Sequence, residues 1–194
     1  MRRRLVLVGA AVAGFWATGA LALDLPPRGL KVLDRGLPYV DVGPDVRANA
    51  GVVRGAVDIA APLSAVWAVM QDCDLAPRMV ANLKSCRILE RDPAGRWDVR
   101  EYVSRRSLLP PIRNVFRSDY QPEQRIAFHR TDGDLAVFEG EWRLEPQAGQ
   151  VRVTYEAHIA APFSVPGWIA RIALRGDVYA ALLAFQRQAV ARTP

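Results

Sequence analysis

Glu139 and Glu141, Cys73 and Cys86, and the two histidines, His129 and His158, are the residues whose types and spacing could carry chemistry. Carboxylates separated by one residue face the same way on a strand, as acid–base work by a pair requires. The same spacing also makes the solvent-facing row of a half-buried strand, and the alternating Phe138, Gly140 and Trp142 favour that reading. The cysteines can close a short disulfide loop worth about 3 kcal/mol, or they are two buried thiols, one at a helix end and one on a strand. No histidine lies near either in sequence to activate a thiol. Histidines and cysteines show no metal-ligand spacing, so no metal is expected. The chain carries no Ser-His-Asp order, nucleophile elbow, phosphate-binding loop or dinucleotide fingerprint. This pattern assigns no catalytic residue and no cofactor.

Length and composition allow one domain around a full core. The chain has 194 residues, 51% of them hydrophobic and 24% charged, too apolar for disorder as the main state. A net charge of +6 would suit a nucleic-acid partner, yet Arg2, Arg3 and Arg4 supply half of it. The other arginines form no run and no aromatic-interleaved basic motif, so nucleic acid is not an expected partner. Met1–Arg4, the uncharged apolar Leu5–Leu23 and the ending Ala20-Leu21-Ala22 predict a secretory signal peptide cleaved after Ala22; a retained anchor is the alternative. In a Gram-negative cell the mature protein is then periplasmic or secreted, an oxidising destination.

Residues 23–50, rich in Pro and Gly, read as an extended lead-in with a short strand at Tyr39–Val42, and residues 51–194 as one ligand-binding domain. Val52–Ile59 predicts a strand. Pro62 suits the first turn of a helix with Val66, Trp67, Val69 and Met70 on its apolar face, and Asp74 can cap a second short helix reaching Val80. Strands are predicted at Cys86–Arg91, Trp97–Ser104, Arg113–Tyr120, Arg125–Thr131, Ala136–Leu144 and Val151–Ala160, with short turns that make an antiparallel meander. Trp168–Arg192 predicts one long helix with Ile172, Tyr179, Leu182, Leu183, Phe185 and Val190 on its apolar side. The fold class is α+β: an antiparallel sheet of about seven strands wrapped around the C-terminal helix, an arrangement that leaves an apolar cavity between them.

Three stretches carry a family resemblance. Ile59-Ala-Ala-Pro62 with Val66-Trp67-Ala-Val69-Met-Gln-Asp72, then Leu83-Lys-Ser-Cys86-Arg-Ile-Leu89-Glu, then Gly140-Glu-Trp142-Arg-Leu144-Glu-Pro146 resemble the START-like (helix-grip, SRPBCC) superfamily. The specific likeness is to its polyketide cyclase/dehydrase and coenzyme Q-binding type, over Val52 to Arg192. That resemblance implies sequestration or carriage of a hydrophobic ligand: an isoprenoid quinone, a lipid or an aromatic polyketide. The alternative is a cyclase or dehydratase-type enzyme using the same cavity. The ligand candidates inside are Phe116, Phe128, Trp142, Tyr155, Ile172 and Tyr179. At the mouth stand Leu108, Leu109 and Ile112 in one loop, and Phe163, Val165 and Trp168 in another. Flanked by Arg105, Arg106 and Arg113, these loops either touch a membrane surface or fold inward onto the core.

Overall fold

The structure is a computed structural model and describes residues 23–45, 51–105, 110–161 and 166–192. The predicted signal peptide, and Arg106, Leu108, Leu109, Phe163 and Val165 of the two apolar loops, lie outside the described residues.

The chain runs α1 (Pro27–Leu33), β1 (Tyr39–Pro44), β2 (Gly51–Ile59), α2 (Leu63–Gln71), α3 (Ala76–Met79), β3 (Leu83–Arg91), β4 (Trp97–Ser104), β5 (Ile112–Gln121), β6 (Arg125–Gly133), β7 (Val137–Gln147), β8 (Gln150–Ala160) and α4 (Gly167–Val190). One eight-stranded sheet has the order β1-β2-β8-β7-β6-β5-β4-β3, antiparallel throughout. This is the expected helix-grip arrangement with one strand more than expected, because the short lead-in strand joins the sheet as its edge. The lead-in is also not wholly extended. Pro27, which reads as a breaker, occupies the first turn of α1, where its missing N–H costs nothing and its fixed φ suits a helix. Leu33 of that helix packs with Tyr39 and Ala56 on the outer face of β2.

Alternation decides which residues face α4. On β2 and β8 the inward set is Val53, Val57, Val153, Tyr155 and Ala157, all buried in the main core with Leu182 and Phe185 of α4. Gly140 on β7 is required by a close approach. A Cβ there would lie 2.1 Å from the Glu156 carbonyl oxygen and 2.7 Å from the Ala157 Cα, so no larger residue fits without moving β8.

The placement of α4 creates the site. The helix packs on β1 and β2, and against α2 and α3, rather than centrally over the sheet. Its C-terminal end is fixed by Arg192, whose Nη2 donates to Asp72 Oδ2 at 2.8 Å, and by Gln186, whose Nε2 donates to the Asp58 carbonyl at 2.7 Å. The concave face of β4–β7 is left to enclose space. A disulfide joins Cys73, in the α2–α3 connection, to Cys86 on β3, with Cα atoms 5.4 Å apart.

Candidate functional site

A cavity of about 870 Å³ lies between the concave face of the sheet, α3 and α4, within the size range of sites for drug-sized ligands. At the end of the sheet where β4 ends and β5 begins, its described lining includes Pro110, Ile112, Leu135 and Gly167.

The wall made by β6, β7, β8 and α4 is mainly apolar, with Arg171 and Asp177 of α4 as its charged members. Phe128, Phe138, Trp142 and Tyr155 line it and form a continuous aromatic set: Phe128 and Phe138 centroids are 4.9 Å apart and Trp142 and Tyr155 centroids 4.2 Å apart. From α4 come Leu174, Val178, Leu182 and Phe185, interspersed with Ala170, Ala173 and Ala181. The small residues let the helix lie close to the sheet while leaving room along its length.

The wall made by β4 and β5 is mostly polar, with Ile112 and Phe116 as its apolar members. Arg100, Tyr102 and Ser104 on β4 and Asn114, Ser118 and Tyr120 on β5 face the lumen, with Tyr102 directly across from Asn114. Arg100 is buried, its side chain only 5% exposed against 1% for Asp98, and it is held by several partners. Its Nε donates to Asp98 Oδ1 at 2.9 Å and its Nη2 to Asp98 Oδ2 at 2.9 Å. The same Nη2 donates to the Tyr120 hydroxyl at 2.8 Å and the Gln71 carbonyl at 2.9 Å. Burial works against the Arg100 charge, but the Asp98 hydrogen bond and nearby Tyr120 more than offset it and push the guanidinium further above its ordinary value. Burial likewise raises the phenols of Tyr102 and Tyr120, with the Arg100 charge pulling the other way. Tyr155 on the opposite wall is raised first by burial and then by nearby Tyr102.

Of the residues read as ligand-facing from sequence, Ile112, Phe116, Phe128, Trp142 and Tyr155 line the cavity. Trp168, Ile172 and Tyr179 do not. Trp168 is 65% and Ile172 68% exposed, and Tyr179 packs half-buried against the core. At about 100° per residue, Ile172 stands on the side of α4 turned away from the sheet, and Trp168 sits at the first turn. Arg113 is not available to a phosphate, since it pairs with Glu101 at 2.6 Å and Asp132 at 2.7 Å. Glu139 and Glu141 lie on the convex face, where Glu141 accepts from Arg125 and Arg143. His129 is exposed on the same face, and His158 Nδ1 lies 2.6 Å from Asp45 Oδ2; neither histidine lines the cavity. Asp72 does line it. Burial opposes its charge, yet Arg192 and the backbone N–H groups of Leu75 and Asp74 hold its carboxyl below the usual carboxylate range. Asp98, Arg100, Tyr102 and Asn114 were missed from sequence because charged and polar residues on a strand read as its solvent face, and only the sheet register shows that this face is concave.

The sequence matches the family described as polyketide cyclase / dehydrase and lipid transport over residues 59–186. The chain belongs to that family. Among solved structures of similar fold, the Zhui aromatase/cyclase from Streptomyces sp. R1128 shares 19% identity with a TM-score of 0.61, covering 74% of this chain and 95% of that one. A STAR-related lipid transfer protein from Xanthomonas axonopodis shares 16% identity with a TM-score of 0.61, covering 77% of this chain and 98% of that one. Human STARD10 shares 14% identity with a TM-score of 0.63, covering 90% of this chain and 84% of that one. No curated protein matches the sequence. At these identities the likeness establishes the helix-grip fold of the family member, and the ligand must be argued from the cavity.

Proposed function

We propose that this protein sequesters or carries one hydrophobic molecule, an isoprenoid quinone such as coenzyme Q or another lipid, outside the cytoplasm after signal-peptide removal. The observation that carries this reading is the 870 Å³ cavity with its aromatic wall. Removing apolar ligand surface from water there contributes about 25 cal/mol per Å², less the cost of immobilising the ligand. Cyclase-type chemistry has less support: the histidines lie outside the cavity and Arg100 is held by Asp98. Native mass spectrometry with lipid extraction of protein purified from its own cell fractions tests the reading. A stoichiometric apolar adduct from the periplasmic fraction is expected; a cytoplasmic protein without adduct, unable to take up ubiquinone from vesicles, would overturn it.

Ligand loading requires meeting a membrane. Trp168, Ile169 and Ile172 are exposed at the N-terminal end of α4, with Arg171 exposed among them and Arg175 exposed one turn further on. Exposed apolar groups alternating with cations suit an anionic lipid surface. Flotation with vesicles containing phosphatidylglycerol should recover the protein, and Trp168→Asp with Ile172→Asp should abolish recovery. Equal recovery of both would remove the membrane step.

A further inference from the structure

Among the described residues, Asn114 is the member of the polar wall with a buried side-chain atom left without a hydrogen-bond partner. It is 5% exposed, lines the cavity, and the unpartnered atom is its Oδ1. Arg100 in the same wall is by contrast held by Asp98, Tyr120 and Gln71. A buried amide oxygen without a partner is destabilising unless something arrives to satisfy it. The local backbone is also fixed around it. Asn114 pairs across from Gly133, where φ is +101° and a Cβ would lie 2.9 Å from the Asn114 Cα, so the two backbones are in close contact there.

We propose that Asn114 is the polar recognition point for the ligand, and that the ligand is an apolar molecule carrying a hydroxyl group seated against Asn114 beside Tyr102. A hydroxyl both donates and accepts, and so satisfies the amide in either orientation of its oxygen and nitrogen. The hydrocarbon remainder then lies along the Phe128–Trp142–Tyr155 wall. This inference rests on the ligand-binding reading above and narrows it to hydroxylated apolar molecules, which include the quinol form of an isoprenoid quinone and exclude the oxidised quinone.

The test uses two fluorescent probes of the same shape, 9-anthracenemethanol and 9-ethylanthracene, titrated into the wild-type protein and into Asn114→Leu. In the wild type the hydroxyl gains a partner; in the variant it is desolvated against leucine. The ratio of the two affinities is expected to fall about five- to tenfold in Asn114→Leu, the range of one hydrogen bond. 9-Ethylanthracene should bind the variant at least as well as the wild type. The ligand-free variant should also melt higher by roughly 2 to 10 °C, because an unpartnered polar group has been replaced by an apolar one of similar size. An unchanged ratio with both probes bound, or a variant that melts lower than wild type, overturns the role of Asn114 while leaving the cavity a binding site. Binding of neither probe by the wild type overturns the binding reading itself, and this inference with it.

Discussion

The β4–β5 wall and the β6–β8 wall of one cavity belong to neighbouring strands of one sheet, yet they obey opposite rules. On β8 alternation is conventional: Val153, Tyr155 and Ala157 point inward to the core, while Arg152, Glu156 and His158 point outward. On β4 the inward positions hold Asp98, Arg100 and Tyr102, and the outward Glu101 is itself buried beneath Arg87 and Arg113. The difference follows from where α4 lies. Residues of β2 and β8 meet helix side chains and must be apolar, whereas residues of β4 and β5 meet open volume and tolerate polarity when each group finds a partner. The apolar wall is therefore a packing problem and the polar wall a hydrogen-bonding one, and they should break in different ways.

The polar wall should fail hardest when it is half dismantled. Asp98→Ala leaves Arg100 as an uncompensated buried charge and is expected to cost about 3–5 kcal/mol in urea unfolding, while Asp98→Leu with Arg100→Met should recover most of it. Equal losses in the single and double variants would mean that this wall behaves like the apolar one. Phe128→Ala on the apolar wall should cost about 3 kcal/mol, the low end for a buried aromatic because its ring already borders open space. Gly140→Ala should cost about 2–3 kcal/mol by forcing β7 from β8. A neutral result would show that the two strands can part without loss.

The smallest effect is in alkaline titration. Burial keeps the Tyr102, Tyr120 and Tyr155 phenols protonated past their ordinary value of about 10. The unfolded chain loses those protons first, so the stability they contribute is present below pH ~10 and declines as the pH rises beyond it. Phenolate absorbance should show these three titrating late, and each Tyr→Phe variant should remove one late step. An ordinary titration of Tyr155 would mean that the apolar wall admits water.

Much of this architecture was legible in the sequence, unevenly and for physical reasons. β4 was placed at Trp97–Ser104 as found, because turn residues bound it on one side and its pattern changes on the other. α4 was placed within two residues of its ends. Its facing was legible in part: Leu182 and Phe185 turn inward as read, but Ile172 and Val190 are large and apolar yet exposed, while alanines and Asp177 take places on the cavity side. Apolar residues occur all round this helix, so side-chain size misleads about orientation. Phe128, Trp142 and Tyr155 were found because large aromatics on alternating strands have few other places to go. Arg100 and Asn114 were not, since nothing local distinguishes an arginine facing a cavity from one facing water.

The pairing of β2 with β8 has a consequence for how the chain is made. Arg54 of β2 and Glu156 of β8 meet at 2.7 Å although 102 residues separate them. Until β8 has been synthesised, Val53 and Val57 have no strand beside them on that edge, and the core cannot close. Contacts of such long sequence range slow folding because the loop-closure entropy comes before the reward. The nascent polypeptide therefore cannot close its core until translation is nearly complete.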